Sequence, residues 1–529
     1  MLSATGCEKW SSRCADKDCL FTEHEWALVK SLAVPVEASS GRRIWDPQPD
    51  PDGEEPPYSV KLYDDPSNPV RLRDDACTDP LVQLGWKLYF DTRLSGPASW
   101  VDTQDRYAPS FRTQTPGVPV NISCATCHDP ARYGADFTSQ PGNVAIGAGR
   151  YDVNTQPTVN AAQYVVSDPN RLTGAHILYW NGRADALWAQ AAQVIESRVS
   201  MNGDRNQIVA MVANDPEYST IYAAAYPGQA LPTQIPTTCS GASQGTGINT
   251  TGTGVKAAYV NLAKAIGAYE MMLTGADSPF DRFVDGTDDG QFSDSAKRGL
   301  KLFVGRASCV QCHNTKLFSD GNFHNVGVPQ TGESVPTVAS CSSPDPAAPP
   351  TAYGCSGKPS CDCSTTEKPA CLPIGAFAGF QKLVAQTFKA THATATENVD
   401  APDAGTPAAE PDGGAPETIT ISDRDKGAWR TASLRNVAET GPYMHDGAYA
   451  SLADVVWHYD QGGVATGIGT PEIAPLLLTA QDRDDLVAFL QTLTSHTSSL
   501  RFPKLAKPPG AGSADGGASY PYECMEPPN

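Results

Sequence analysis

Two five-residue stretches decide how this chain is read: Cys124-Ala-Thr-Cys127-His128 and Cys309-Val-Gln-Cys312-His313. Both are C-x-x-C-H, the attachment signature of c-type haem. The spacing has a mechanical reason. Two thiols add across the two vinyl groups of the porphyrin, and the adjacent imidazole then falls beneath the iron as its proximal ligand. At this chain's cysteine and histidine frequencies, chance produces one such pattern in about one chain in a hundred of this length. A zinc site or a disulfide knot is the rival for each copy alone, and two copies together favour two covalent haems. Cys124, Cys127, Cys309 and Cys312 are the expected attachment points, with His128 and His313 as proximal iron ligands.

Fifteen cysteines are many for a reducing compartment. Covalent haem attachment also belongs outside the cytoplasm, so the expected location is the periplasm or the cell surface. The opening residues lack a charged n-region followed by an apolar h-region, so a leader is expected to have been trimmed or to lie upstream of Met1. Ala4-Thr5-Gly6-Cys7 reads as the end of a lipoprotein signal. Lipidation of Cys7 would leave an even number of other cysteines for disulfides; the alternative is a disulfide-tied arm through Cys7, Cys14 and Cys19.

The 529 residues suggest two to four domains, and 40% apolar residues are enough to build real cores. No run of about 18 apolar residues occurs, and Tyr259 to Leu273, interrupted by Lys264, reads as a buried helix rather than a membrane span. A formal charge of −20 argues against nucleic acid, whose binders cluster Lys and Arg.

Residues 1–76 read as an N-terminal arm, with a helical pattern from His24 to Ala33 and an extended Pro/Asp-rich stretch from Asp46 to Pro57. Further helical patterns run from Leu81 to Tyr89, Ala184 to Ile195, Val255 to Leu273, Ser293 to Phe303 and Ala480 to Leu493. Gly228 to Gly254 reads as a loop. Residues 331–419 read as an insertion: a disulfide-rich lobe with Cys341, Cys355, Cys361, Cys363 and Cys371, then a disordered stretch from Thr394 to Thr418 with six acids and no base. The tail, 503–529, is Pro/Gly-rich, with Cys524 as its one anchor point. Strand patterns are few, so the chain is expected to be mainly α-helical.

The residues around the motifs narrow the reading further. Leu84-Gly-Trp-Lys-Leu-Tyr-Phe-Asp-Thr-Arg-Leu-Ser95 precedes the first motif and Tyr179-Trp-Asn-Gly-Arg-Ala-Asp-Ala-Leu187 follows it. Ser278-Pro-Phe-Asp-Arg282, Phe318 to Gly327, Leu434-Arg-Asn-Val437 and Gly441-Pro-Tyr-Met-His-Asp-Gly447 complete the set. Over roughly residues 80–330 and 420–495 the chain resembles the bacterial di-haem cytochrome c peroxidases, including their MauG branch. The resemblance implies two cytochrome c-like haem domains, the first over 77–254 and the second over 255–330 and 420–502. The arm and the insertion lie outside it.

In that family the first haem meets peroxide. Many members cap its iron at rest with a histidine about sixteen residues after the motif. Here position 144 is Val144 and the next histidine is His176, which looks like the permanently open MauG branch, with closure by His176 or a loop residue as the alternative. The family places the second haem's other ligand fourteen residues after the histidine of the Gly441–Gly447 stretch, as Met or, in MauG, Tyr. That position is Tyr459, with His458 as the rival. Tyrosinate, a hard anion, stabilises ferric and higher-valent iron. Trp180 matches the tryptophan between the haems, an electron relay, and Gln190 matches the glutamine of the peroxide pocket. The pocket's acid/base glutamate is replaced by Ser200. Glu196, one turn earlier, is either its substitute or a solvated face residue. His324 resembles a family histidine near the haems. Asn154, Thr440 and Pro442 match positions that hold one calcium ion by oxygen ligands.

The expected protein is therefore an exported di-haem peroxidase. It takes hydrogen peroxide and electrons from a small cytochrome c, a cupredoxin or a substrate protein. Ala307 stands where MauG has a tryptophan that contacts its protein substrate, so a different substrate is expected. An O2-using di-haem oxygenase and a non-enzymatic electron carrier are the rivals.

Overall fold

The computed structural model describes residues 20–36, 63–65, 68–72, 79–98, 118–129, 132–136, 144, 147–149, 153–163, 178–180, 182, 184, 187–197, 200–235, 254–329, 427–465 and 470–495. Cys7, Cys14, Cys19, the stretch from Asp46 to Pro57, His176, most of the loop from Gly228 to Gly254, the insertion 331–419 with its five cysteines, and the tail lie outside them.

The described chain is mainly helical, in line with the sequence reading. Its helices, in order, are α1 (Glu23–Leu32), α2 (Pro80–Tyr89), α3 (Cys124–Cys127), α4 (Leu187–Glu196), α5 (Arg205–Asn214), α6 (Pro216–Ala225), α7 (Val255–Met271), α8 (Pro279–Asp285), α9 (Asp294–Val304), α10 (Leu452–Asp460) and α11 (Ala480–Gln491). Two antiparallel ribbons complete it: β1 (Tyr63–Asp65) with β2 (Asn68–Leu72), and β3 (Phe323–His324) with β4 (Trp429–Arg430).

Helix starts follow local chemistry. Thr22, Ser278, Ser451 and Thr479 each cap a helix through a reciprocal bond with an acid three residues on. Proline opens α2, α6 and α8, where its missing N–H costs nothing. One boundary differs from the expectation: the helix is Leu187–Glu196, and Ala184 itself is not helical. Leu178 and Ala184 instead form an isolated antiparallel bridge, with the Leu178 N–H donating to the Ala184 carbonyl at 2.8 Å.

Two hydrophobic clusters organise these helices, each beside one haem motif. The first gathers α2, α4, α5, α6 and α7. Here α7 lies against α2 so closely that a Cβ on Gly85 would stand 1.8 Å from the Ala265 carbonyl oxygen, so no side chain fits there. The second gathers α1, α8, α9, α10 and α11. Its α9 crosses α11 with Gly299 directly over the Asp485 carbonyl, and Phe280, Phe303, Phe318 and Phe489 pack edge to face or tilted around the crossing.

Part of the N-terminal arm packs into the body of the chain. Phe21, Val29, Leu32 and Ala33 are part of the second cluster. The arm's apolar face is covered by α9, and a buried ion pair fixes its end. Arg435 holds Asp281 through both guanidinium nitrogens, at 2.6 and 3.1 Å, and donates to the Leu32 carbonyl at 2.8 Å; Asp281 accepts from the Val34 N–H at 2.9 Å. The two side chains are 1% and 0% exposed. Burial alone would raise the Asp281 carboxyl, but Arg435 holds it below its ordinary value. Arg435→Met should therefore leave a buried, unpaired carboxylate and cost about 3–5 kcal/mol. Denaturant titration of the purified protein checks this, and a loss below about 1 kcal/mol would show the pair to be dispensable.

Candidate functional site

The first motif forms α3, a single turn in which the Thr126 hydroxyl accepts from the Ser123 N–H at 3.0 Å. The His128 N–H donates to the Cys124 carbonyl at 2.9 Å. His128 Nδ1 donates to the Gly134 carbonyl at 3.1 Å, and the ring also meets the Gln156 backbone. The second motif follows α9 as a 3₁₀ turn, and His313 Nδ1 donates to the Phe318 carbonyl at 2.5 Å. Burial lowers both imidazoles and keeps them neutral. The four motif thiols are free of disulfides. Unbridged thiol pairs beside neutral imidazoles with Nδ1 tied to backbone are what c-type haem requires. The residues fit the group.

Around the first motif, Val144 is buried and its Cγ1 crowds Gly447. Gln190 is half-buried on α4, where its carbonyl accepts from the Tyr179 hydroxyl at 3.1 Å. Ser200 follows the end of α4 in a turn: its N–H donates to Ser197 Oγ at 3.3 Å and its carbonyl accepts from the Ala148 N–H at 2.5 Å. Glu196 corrects the sequence reading. Helix α4 does reach it, but it is buried rather than solvated, and Arg205 engages both its oxygens, Nε at 2.7 Å from Oε1. A carboxylate so held is a poor proton carrier.

At the second motif, α10 presents His458 and Tyr459 in different directions, as successive helical residues must be. His458 is 3% exposed. Its Nε2 donates to the Val326 carbonyl at 2.8 Å and its Nδ1 accepts from the Tyr449 hydroxyl at 2.8 Å, which leaves neither nitrogen with a free lone pair. Tyr459 instead lies close enough to Cys309 and Cys312 for their charges to act on its phenol. Burial first, then the thiols, push that phenol well above its ordinary value, so a phenolate there needs a cation beside it. His324 stands beside Cys312. Its Nε2 is 3.0 Å from Asp320 and its Nδ1 3.2 Å from Glu472, and Asp320 above all pushes it up to about 11.

Between the motifs the two halves of the chain interlock at Asn154. Its carbonyl accepts from Trp180 Nε1 at 2.8 Å, its N–H donates to the His445 carbonyl at 2.6 Å, and its side-chain amide meets the Pro442 carbonyl at 2.5 Å. The Thr440 hydroxyl turns away, to the Val437 carbonyl. His445 stacks on Trp429 at 3.9 Å and meets Trp180 edge-on at 6.5 Å, and burial pushes its imidazole down to about 4. The Trp180 carbonyl accepts from the Arg430 N–H at 2.9 Å, so β4 ties the Trp180 loop to the β3 strand that carries His324.

The structure thus joins Asn154, Pro442 and Trp180 in one cluster and places Tyr459 and His324 at the second motif. Gln190 and Ser200 lie on α4 and the turn after it. Sequence reading missed Trp429 and Arg205 as parts of these sites, and took His445 only as the residue from which the second ligand is counted. Of the three, His445 alone had a usable signal, its place in the Gly441–Gly447 stretch.

Among the described residues, no helix is long and apolar enough to cross a membrane. A profile of the di-haem cytochrome c peroxidases matches residues 79–289. The chain is 30% identical to the cytochrome-c peroxidase IdrP1 of Denitromonas iodatirespirans, over 80% of this chain and 83% of that one. It is 25% identical to the methylamine utilization protein MauG of Methylorubrum extorquens, over 81% and 82%. It is also 25% identical to the cytochrome c551 peroxidase of Pseudomonas aeruginosa, over 83% and 86%. With both attachment motifs in place and a relative of that identity covered over most of its length, the chain belongs to the di-haem cytochrome c peroxidase family.

Proposed function

We propose that this chain is an exported di-haem oxidoreductase of the MauG-like kind. It reacts with hydrogen peroxide at a first haem held by Cys124, Cys127 and His128. It takes electrons from an external donor through a second haem held by Cys309, Cys312, His313 and Tyr459. The observation that carries this reading is Val144, an apolar side chain buried against Gly447 at the position from which a histidine would cap the first iron. When bound, haem supplies the redox-active iron at which the peroxide O–O bond is cleaved. The chain's residues do the rest. The Gly134 and Phe318 carbonyls orient the two proximal imidazoles. Asn154 fixes the Trp180 indole by its Nε1–H, in the place where an electron relay between the sites is needed. Gln190 lines the peroxide side as a neutral hydrogen-bonding group. The Thr440 and Pro442 carbonyls with the Asn154 amide would hold a calcium ion once that amide turns its oxygen toward Pro442.

The experiment is electron paramagnetic resonance of the resting holoprotein, followed by anaerobic peroxide titration. One high-spin and one low-spin ferric haem are expected, with both spectra changing on about one equivalent of peroxide. Two low-spin haems that ignore peroxide would mean an electron carrier. A second reading has its own support. With Ser200 in the pocket and Glu196 bound by Arg205, proton delivery is weak, which favours an O2-using oxygenase. Oxygen uptake without added peroxide would establish that reading instead.

A further inference from the structure

We propose that Glu270 is the proton-holding group of the first haem, a core carboxyl beside Cys124 that takes up a proton when that haem is reduced and releases it on reoxidation. This rests on haem attachment at Cys124 and Cys127, and not on any reaction with peroxide.

Glu270 lies in the last turn of α7 and is 5% exposed. Its Oε2 is buried with no hydrogen-bond partner. Such an oxygen is expensive to keep ionised and has the capacity to bind a proton. The carboxyl is near enough to the first motif for its charge to raise the Cys124 thiol and also the Tyr89 phenol.

Among the described residues no cation offsets it. From α3 the facing group is Cys124, a thioether without charge once haem is attached; from α2 it is Tyr89, with Tyr269 beside it on α7. Lys87 of α2 is turned to Glu217 on α6. Glu196 of α4 and Arg205 of α5 bind each other, and Arg205 covers Tyr259, three turns back along α7. Lys264 lies over Trp188. The turn Ala161–Gln163, also packed on α7, carries no titratable group. Burial, unopposed, pushes the Glu270 carboxyl up to about 8.

The balance is simple. An electron from the external donor removes one positive charge from the haem site, a carboxylate nearby becomes less favourable, and Glu270 takes one proton from solvent to become a carboxylic acid. The reduced protein therefore holds the proton more tightly than the oxidised one. By linkage, the reduction potential falls as pH rises between those two proton affinities and is level on either side.

The test is a spectroelectrochemical titration of the di-haem holoprotein between about pH 6 and pH 10, for wild type and Glu270→Gln. Wild type should show a potential of the first haem that falls with pH, while the second haem does not follow it. In Glu270→Gln, which keeps size and polarity without the ionisation, that dependence should vanish and the two proteins should agree at the acid end. A level wild-type potential, or a slope that survives in Glu270→Gln, overturns the proposal. If Glu270→Gln fails to load its first haem, redox difference infrared spectroscopy of wild type decides instead. A carboxylic acid C=O band gained on reduction supports the assignment, and its absence overturns it. Neither measurement uses peroxide, so a failed peroxide titration and a failed Glu270 test are separate results.

Discussion

Replacing Tyr459 with phenylalanine is expected to abolish the low-spin tyrosinate signature of the second haem and to raise its reduction potential. Phenolate is an anionic, hard ligand, and its loss destabilises ferric iron relative to ferrous. Axial ligation sets haem potentials over a span of about 0.8 V, so a rise on the order of a few tenths of a volt is expected. Resonance spectra and a redox titration of the purified variant check both parts. The neighbouring histidine is poorly placed to take over, because its two nitrogens are spent on the Val326 carbonyl and the Tyr449 hydroxyl. His458→Ala should therefore leave the low-spin signal in place. An unchanged spectrum in Tyr459→Phe would move the ligand assignment elsewhere on the chain.

Restoring a carboxylate by Ser200→Glu should speed the reaction with peroxide by about 10-fold or more, short of the 10²–10⁴ that a tuned acid/base provides. In wild type the turn after α4 offers a hydroxyl at Ser200, and the nearest carboxylate on the helix is clamped by Arg205. A hydroxyl of ordinary acidity relays a peroxide proton poorly. Stopped-flow mixing with peroxide compares the two proteins. If wild type already reacts at a rate that Ser200→Glu cannot improve, the proton travels by another group.

Much of the candidate site is visible in the sequence because haem attachment is local chemistry. Five residues set both the covalent bonds and the proximal ligand, whatever surrounds them. The second ligand is harder to read. His458 and Tyr459 are adjacent, and both residue types bind iron. Their difference appears only when Val326 and Tyr449 arrive from other parts of the chain to occupy the histidine. The helix that carries them was also overlooked, although Ser451 and Asp454 spell its capping box.

Sequence by itself determined the two attachment motifs, the family resemblance and the helical character, since all of these depend on spacing along one segment. Only the tertiary structure decided that α1 belongs to the second core, that Glu196 is neutralised by Arg205, and that Glu270 is a buried carboxyl with no cation beside it among the described residues. The physical reason is the same in each case. The ionisation and availability of a buried group are set by what packs against it from distant segments, and one-dimensional patterns record a residue's own face but not its neighbours.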